Sequence, residues 1–586
     1  MSTEVYGEIM DRPVEEYPAP EDAGGGDGAP PSGDGPGDGD GGNSGGPFDL
    51  ARLEACAAEP ETDIGNGRRI LHWFREEVLY VARIGWHVFD GTRWGEDVEG
   101  RQIRPLAHTV VERIALEARL IDYHPHEVKA IEAAKEAQAE LEQLEGKGKD
   151  ASDEDKSRIL ALKRVVADGA DAEKALKGRK SYRRRYCKTS GSSGKLDNML
   201  RESAPYVMQV VNDLDGDALA LNTRSGTLRF VSEDDPDSPD ADAPRKLWSV
   251  RCDPHDRADL ITKLAPVDYD PEAMAPTFDA FLERVQPDPE MRSFLQRYCG
   301  YCLTGLTQEQ VLAFFWGEGA NGKSTLVDLV ARILDDYSTT VPFETLAGDD
   351  RRKGGEATPD LAKLPGARLV RASEPEQGMK FREAMVKALT GGEAILIRRL
   401  HAEFTEIRPT FKLIISGNHK PDVRGTDDGI WRRVLLVPWS VQIPKGERDP
   451  LLPQRLWAER AGVLNWLIKG ALDYLTYGLD VPEEVRSATD SYREESDPIG
   501  AFLDGYCEVT RDPDDCMTPG ALYTLFKIFC EAASYTVWTP TTFNRQLPRK
   551  AAKLGFHKAK SNGNTVYRGI RAKADMGSGW SSDEGR

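Results

Sequence analysis

The eight residues Gly317-Glu-Gly-Ala-Asn-Gly-Lys-Ser324 have the make-up of a loop that cradles a polyphosphate. Gly317, Gly319 and Gly322, with Asn321 among them, let consecutive backbone N–H groups turn toward one anion, and the amino terminus of a following helix adds its partial positive charge. Lys323 has the reach to meet β and γ phosphates, Ser324 carries a hydroxyl suited to magnesium, and Thr325 follows it. Hydrolysis needs a second, acidic centre. Glu374, in ARLVRASEPEQG, can hold the magnesium shell or orient the attacking water, with Glu376 as the alternative. Asn418, in FKLIISGNHKP, is an amide able to hydrogen-bond both the γ phosphate and that water. Arg432 and Arg433 are of the type that stabilises charge on a transferring phosphoryl group, within one subunit or from a neighbour. ATP and Mg2+ are the expected cofactors.

Such residues act together only if strand and helix ends deliver them to one place. Val311–Trp316 is an apolar run ending at Gly317, and Thr325–Leu334 has helical spacing, so the loop falls where a strand turns into a helix. Leu369–Ala372 reads as a short strand carrying Glu374 at its end, and Phe411–Pro421 as a buried strand delivering Asn418 and Lys420. Between them lie a helix, Phe381–Thr390, and a hairpin pattern, Ile395–Ile407, with Arg398, Arg399 and His401 approaching its turn. Gly425–Trp439 sets the two arginines before a last apolar strand. The fold class expected is α/β.

In this order, FFWGEGANGKST, SEPEQG, VKALTGGEAILIRRL, FKLIISGNHKP and DDGIWRRVLLVPW resemble the superfamily 3 helicases, and within them the phage and plasmid primase/helicase family that includes poxvirus replication ATPases. The resemblance extends upstream through GWHVFDGTRW, LNTRSGTLRF and FLQRYCGYCLTG, and downstream through SYREESDPIGAFL. It implies an AAA+-like P-loop ATPase core, a hexamer with ATP sites between subunits, and unwinding with 3′-to-5′ polarity. It also implies that the hairpin enters a central channel, pointing to Arg399 and His401 as DNA contacts, and that the arginine finger is Arg433, with Arg432 as second choice. Where relatives often carry Asp after the paired glycines, this chain has Glu393, which keeps the charge. No closely spaced Asp-x-Asp pattern with a partnering histidine precedes the helicase-associated region, so no primer synthesis is expected of this chain.

The remaining sequence sets boundaries. The chain has 586 residues and a net charge of −21, but residues 1–50 hold twelve Asp/Glu and one Arg in a Gly/Pro-rich run, so they read as a disordered acidic tail. Residues 51–277 read as an amino-terminal α+β helicase-associated domain with a charged helical insertion near 126–178, joined at GKGKDASDED. Behind it, Lys177–Lys188 holds seven Lys/Arg, no acid, and Tyr182 and Tyr186; a phosphate-tracking surface and a solvated basic linker both fit. Residues 278–480 read as the ATPase domain, and Glu233–Pro244 as a loop. The eight cysteines are scattered, and Cys299 and Cys302 form one CxxC without further ligands, which favours a buried helix face over zinc. Neither a signal sequence nor a membrane-length apolar run is visible, so reduced thiols, a cytoplasmic location and no membrane partner are expected.

Residues 489–570 form the last unit, before a polar tail at 571–586. Ala521–Ala533 and Thr541–Leu554 read as helices and Phe556–Ile570 as a hairpin turning at Asn562-Gly563, a winged-helix pattern. Residues 541–570 carry seven Lys/Arg and no acid; Arg545, Arg549, Lys550, Lys553 and Lys558 are the expected DNA contacts, with a protein-docking module as the alternative. The sequence is thus read as a replicative DNA helicase of a phage or mobile element, with single-stranded and forked DNA, its own copies, and a separate primase, loader or polymerase as partners. The competing readings are an assembly or packaging ATPase that binds DNA without unwinding it, and a DNA-binding initiator with a degenerate ATP site.

Overall fold

A computed structural model of the chain describes residues 49–573, apart from 239–244, 349–358, 373, 377, 399–402, 424–427, 534, 536 and 562. The architecture is mixed α/β. Five parallel strands form the central sheet, in the order Val434–Pro438, Leu312–Trp316, Lys412–Gly417, Leu369–Ala372, Ser338–Val341. Both faces of the inner strands are covered, which is why Leu312–Trp316 and Lys412–Gly417 read as largely apolar runs, whereas the edge strand Ser338–Val341 is mostly Ser and Thr. Alternation within a run sends side chains to opposite faces. Ala313 and Phe315 join the core with helices Pro276–Val285, Pro289–Tyr301, Lys323–Leu334 and Arg460–Tyr477, while Leu312 and Phe314 join the core with helix Glu383–Thr390 and Tyr492. Helices Pro289–Tyr301 and Arg460–Tyr477 cross closely because of two glycines: a Cβ at Gly300 would stand 2.2 Å from the Ala471 nitrogen, and one at Gly470 1.9 Å from the Gln296 carbonyl oxygen.

Ahead of this sheet, helices Leu50–Ala58, Asp63–Phe74, Ile103–Glu117 and Ser193–Ser203 pack around a small sheet that includes Val78–Val81, Gly85–Phe89 and Trp94–Glu96. The charged insertion is two helices, Pro125–Glu145 and Asp153–Ser190, in contact through Ala137, Leu141 and Leu162. The second, started by a capping box of Ser152 and Asp155, does not end near residue 178. It continues through the whole basic run. The strand Gly226–Asp234 likewise runs into the stretch read as a loop and pairs with Lys246–Asp253. Arg368, fully buried at the start of the Glu374 strand, ties these layers together by donating to the carbonyls of Asp217, Ala218 and Ala220.

After helix Glu483–Glu495, helices Pro498–Tyr506, Pro519–Ala532 and Pro540–Leu554 close around Phe502, Phe526, Phe529 and Phe543. The hairpin His557–Ser561 with Asn564–Arg568 packs beside them. Cys299 and Cys302 lie in the apolar core, and burial pushes both thiols up, Cys302 to about 12. Among the described residues no helix is long and apolar enough to cross a membrane.

Candidate functional site

Leu312–Trp316 and Lys412–Gly417 are neighbours in the sheet, yet the chain leaves them for opposite edges, toward Ser338–Val341 and Val434–Pro438 respectively. Such a switch point opens a crevice at the carboxyl ends of parallel strands. Gly317–Gly322 emerges there and leads straight into helix Lys323–Leu334. Gly322, the residue before the helix, has φ of +85°, and a Cβ on it would lie 2.8 Å from Val285 Cγ1. Gly317 passes so close to the end of the edge strand that a Cβ would meet the Trp439 carbonyl oxygen at 2.3 Å. Asn321 is buried and donates to that same carbonyl at 3.1 Å, so its amide pins the loop. Gly319 and Ser324 are exposed and Thr325 is half-buried.

Lys323 is buried, its ammonium donating to the carbonyls of Gly317 and Glu318 and to Asn418 Oδ1 at 3.3 Å. Burial lowers its pKa below the usual lysine range, and the carboxylate of Glu374 opposes that shift. Glu374, exposed at the end of its strand, accepts from the Asn418 N–H at 2.8 Å. The two strand ends meet tightly, since a Cβ on Gly417 would stand 2.7 Å from Pro375 Cδ. Lys323, Glu374 and Asn418 are therefore one hydrogen-bonded group assembled from three elements. Glu376 is also exposed nearby in sequence. Sequence reasoning passed over Trp316, whose indole N–H donates to the Asn418 carbonyl at 3.2 Å; the only signal was an aromatic residue closing the apolar run.

A cavity of about 400 Å3 adjoins the loop at Ala320, Gly322 and Thr325. Phe281, Val285, Ile443 and Leu452 give it apolar walls, with Arg284 and Arg455 at its margin. These residues come from before and after the sheet, a pairing invisible along the sequence.

Arg433 and Arg432 lie elsewhere. Both precede strand Val434–Pro438, at the end of the sheet opposite the loop. Arg433 is buried and donates to the Gly429 carbonyl at 2.6 Å, whereas Arg432 is exposed. The hairpin forms from Ile395–Arg398 and Phe404–Ile407, with Arg398 stacked 5.2 Å from the Phe404 ring and Arg83 donating to the Phe404 carbonyl. Arg399 and His401 lie outside the described residues.

The basic segments divide by burial. On helix Pro540–Leu554, Arg545, Arg549 and Lys553 are exposed at intervals of four, hence on one face. Lys558 and Lys560 are exposed on the hairpin, but Lys550 is ion-paired with Asp497. In the earlier run, Arg183 is a buried strut bonded to Glu117, Glu61 and the Ala57 carbonyl, Arg179 pairs with Glu127, and Tyr186 is buried with its hydroxyl on the Thr62 carbonyl. Lys177, Tyr182, Arg184, Arg185 and Lys188 are exposed.

The sequence pattern described as "D5 N terminal like" matches residues 67–287, and a family of unknown function (DUF5906) matches 315–433. Among curated relatives, "Putative helicase L207/L206" of Acanthamoeba polyphaga mimivirus is 29% identical over 272 residues, covering 43% of this chain and 28% of the relative. "Putative helicase 022R" of Frog virus 3 is 27% identical over 304 residues, covering 49% and 30%. "Primase D5" of Fowlpox virus is 28% identical over 167 residues, covering 27% and 20%. The matched region thus spans under a third of each of these relatives. The solved C-terminal region of NrS-1 aligns with 51% of this chain and 76% of its own at 15% identity, with a TM-score of 0.34, too low to carry a fold argument. On the D5 amino-terminal pattern and these viral relatives, the chain is similar to the D5-like primase-helicases of large DNA viruses.

Proposed function

We propose that this chain is the motor of an ATP-dependent DNA helicase, with a P-loop, AAA+-like core over about 278–480. The observation that carries the reading is the convergence of Lys323, Glu374 and Asn418 at the carboxyl ends of three parallel strands, joined by bonds of 2.8 and 3.3 Å. A buried ammonium bonded to neutral oxygens is stabilised when a polyphosphate arrives. Asn418, already bonded to both other groups, is positioned to register whether a γ phosphate is present. Ser324, exposed beside Lys323, and Glu374 would hold Mg2+, which supplies neutralisation of charge on the phosphates. The protein's own share is to bind the triphosphate on the loop amides and to orient water with Glu374 and Asn418. The adjacent cavity of about 400 Å3 has the size and apolar lining for a base and sugar.

Assembly as a ring, proposed as a hexamer, is supported by the position of the arginines. Neither can reach its own subunit's loop from the opposite end of the sheet. The exposure of Arg432 favours it as the finger offered to a neighbour, with buried Arg433 holding its segment in place. The hairpin at Ile395–Ile407 is proposed to grip single-stranded DNA, and the exposed face of Arg545, Arg549, Lys553 and Lys558, in a winged-helix-like unit over 489–570, to bind the single-stranded arms of a fork. Translocation toward the 5′ end of the bound strand follows from the resemblance.

The test is displacement of a labelled strand from a forked duplex with ATP and magnesium. Displacement by the wild type, and none by Lys323→Ala, is expected. Hydrolysis stimulated by single strands without displacement would favour an assembly or packaging ATPase, and near-normal turnover by Lys323→Ala would remove the loop from the mechanism.

A further inference from the structure

Beyond the hydrolytic group, a second set of contacts leads from Asn418 to the carboxy-terminal unit. Lys420, two residues on, has its ammonium 4.3 Å from the Trp316 ring and 5.6 Å from that of Tyr492, and it pairs with Glu495 at 2.7 Å. The Tyr492 hydroxyl also donates to the Pro421 carbonyl. Trp316 itself holds the Asn418 carbonyl, so one lysine touches both the support of Asn418 and the helix Glu483–Glu495. Just past the end of that helix, Asp497 caps helix Pro498–Tyr506 through the Gly500 N–H and pairs with Lys550. Lys550 sits on helix Pro540–Leu554 between the exposed Arg549 and Lys553. A cavity of about 170 Å3, lined in part by Lys420, Tyr492, Glu495, Ser496 and Trp538, leaves room at this joint for rearrangement.

We propose that the ion pairs Lys420–Glu495 and Asp497–Lys550 regulate ATP hydrolysis, carrying the DNA occupancy of the basic helix to Asn418, with Lys420 as the positioning residue. The proposal rests on the ATPase reading above. Phosphates drawn to Arg549 and Lys553 compete with Asp497 for the Lys550 ammonium. An ion pair has two discrete arrangements, made and broken, which is what a coupling element requires. Releasing Asp497 frees the junction after Glu495, and the pull on Lys420 changes the support that Trp316 gives to Asn418. The same links run in reverse, so nucleotide occupancy alters DNA affinity.

The test measures steady-state ATP hydrolysis by the full chain with and without a single-stranded oligonucleotide, beside binding of a fluorescent ATP analogue. Glu495→Gln and Asp497→Asn each remove one charge, and asparagine still caps a helix. Each variant should keep basal hydrolysis and analogue affinity within about twofold and lose about two- to fivefold of the DNA stimulation, the scale of partly exposed ion pairs. The double variant should lose no more than either single one, because both cut one path. Full stimulation in both singles, additive losses, or a basal rate that falls as far as the stimulated one overturns the proposal. A wild-type chain that fails to bind the analogue removes the ATPase reading and this one with it. A chain that binds and hydrolyses ATP but ignores DNA removes this proposal alone.

Discussion

Replacing Lys323 by methionine separates what this side chain does for folding from what it does for nucleotide. Without nucleotide the ammonium is buried against oxygens of Gly317, Glu318 and Asn418, and its burial already disfavours the charge. Methionine removes the buried charge but leaves those oxygens with fewer donors, so the two effects oppose each other and the net change should stay within about 1 kcal/mol. The nucleotide-bound state behaves differently. Two charge-assisted bonds to phosphate, at about 1.5 kcal/mol each or more, amount to about 3 kcal/mol and roughly a hundredfold in Kd. At a nucleotide concentration near 100 times the wild-type Kd, ligand stabilises the wild type by about 2.7 kcal/mol and the variant by only about 0.4 kcal/mol. With about 2–4 °C per kcal/mol for a unit of this size, the wild-type Tm rises by about 5–11 °C and the variant's by about 1–2 °C. Thermal scans of both proteins, with and without a non-hydrolysable ATP analogue, read the difference. A full nucleotide shift in Lys323→Met would refute the role assigned to the ammonium, and a collapse of its ligand-free Tm would show that the side chain holds the fold instead.

The arginine pair divides by burial: Arg432→Ala should leave Tm unchanged while lowering hydrolysis, and mixing with Lys323→Ala subunits should restore part of the activity, since each mutant lends its intact half-site. Arg433→Ala should lower Tm, and a reversal of the two phenotypes in the same assays would exchange their roles. Arg183→Met leaves the Glu117 carboxylate buried with one fewer partner and should cost about 3–5 kcal/mol in urea unfolding, against less than about 0.5 kcal/mol for exposed Arg184→Ala; equal effects would contradict the strut. Removing Arg545, Arg549 and Lys553 together should flatten the dependence of log affinity for single-stranded DNA on log salt by about 2, and an unchanged slope would point to protein docking on this face.

The parts of the site that were legible in the sequence are those whose signal is local. A glycine-rich turn between an apolar run and a helical pattern announces itself within a few residues, as Gly317–Ser324 does, and Glu374 and Asn418 each stand at the end of an apolar strand. Parallel strands share a direction, so polar residues just past their carboxyl ends fall on one side of the sheet whatever the strand order. That is why the group could be assembled from order alone, though not the bonds within it. Illegible were the features that depend on a distant partner. Arg183 and Arg184 are neighbours of one type in one basic run, yet one faces Glu117 and Glu61 across the fold and the other faces water. Lys550 likewise reads as one more cation on a basic helix until Asp497 is found beside it.

The two arginines obey the same geometry. A sequence places Arg432 and Arg433 before a strand, and the parallel sheet then puts them at the end away from the loop, so a finger acting within the subunit is geometrically disfavoured. Adjacent positions ahead of a strand point apart, which makes one of the pair available to a neighbour only if the other turns inward. Here Arg433 turns inward to the Gly429 carbonyl. Charge type and spacing could nominate the pair, but which of the two the core takes in, Arg433, is a property of packing rather than of the motif.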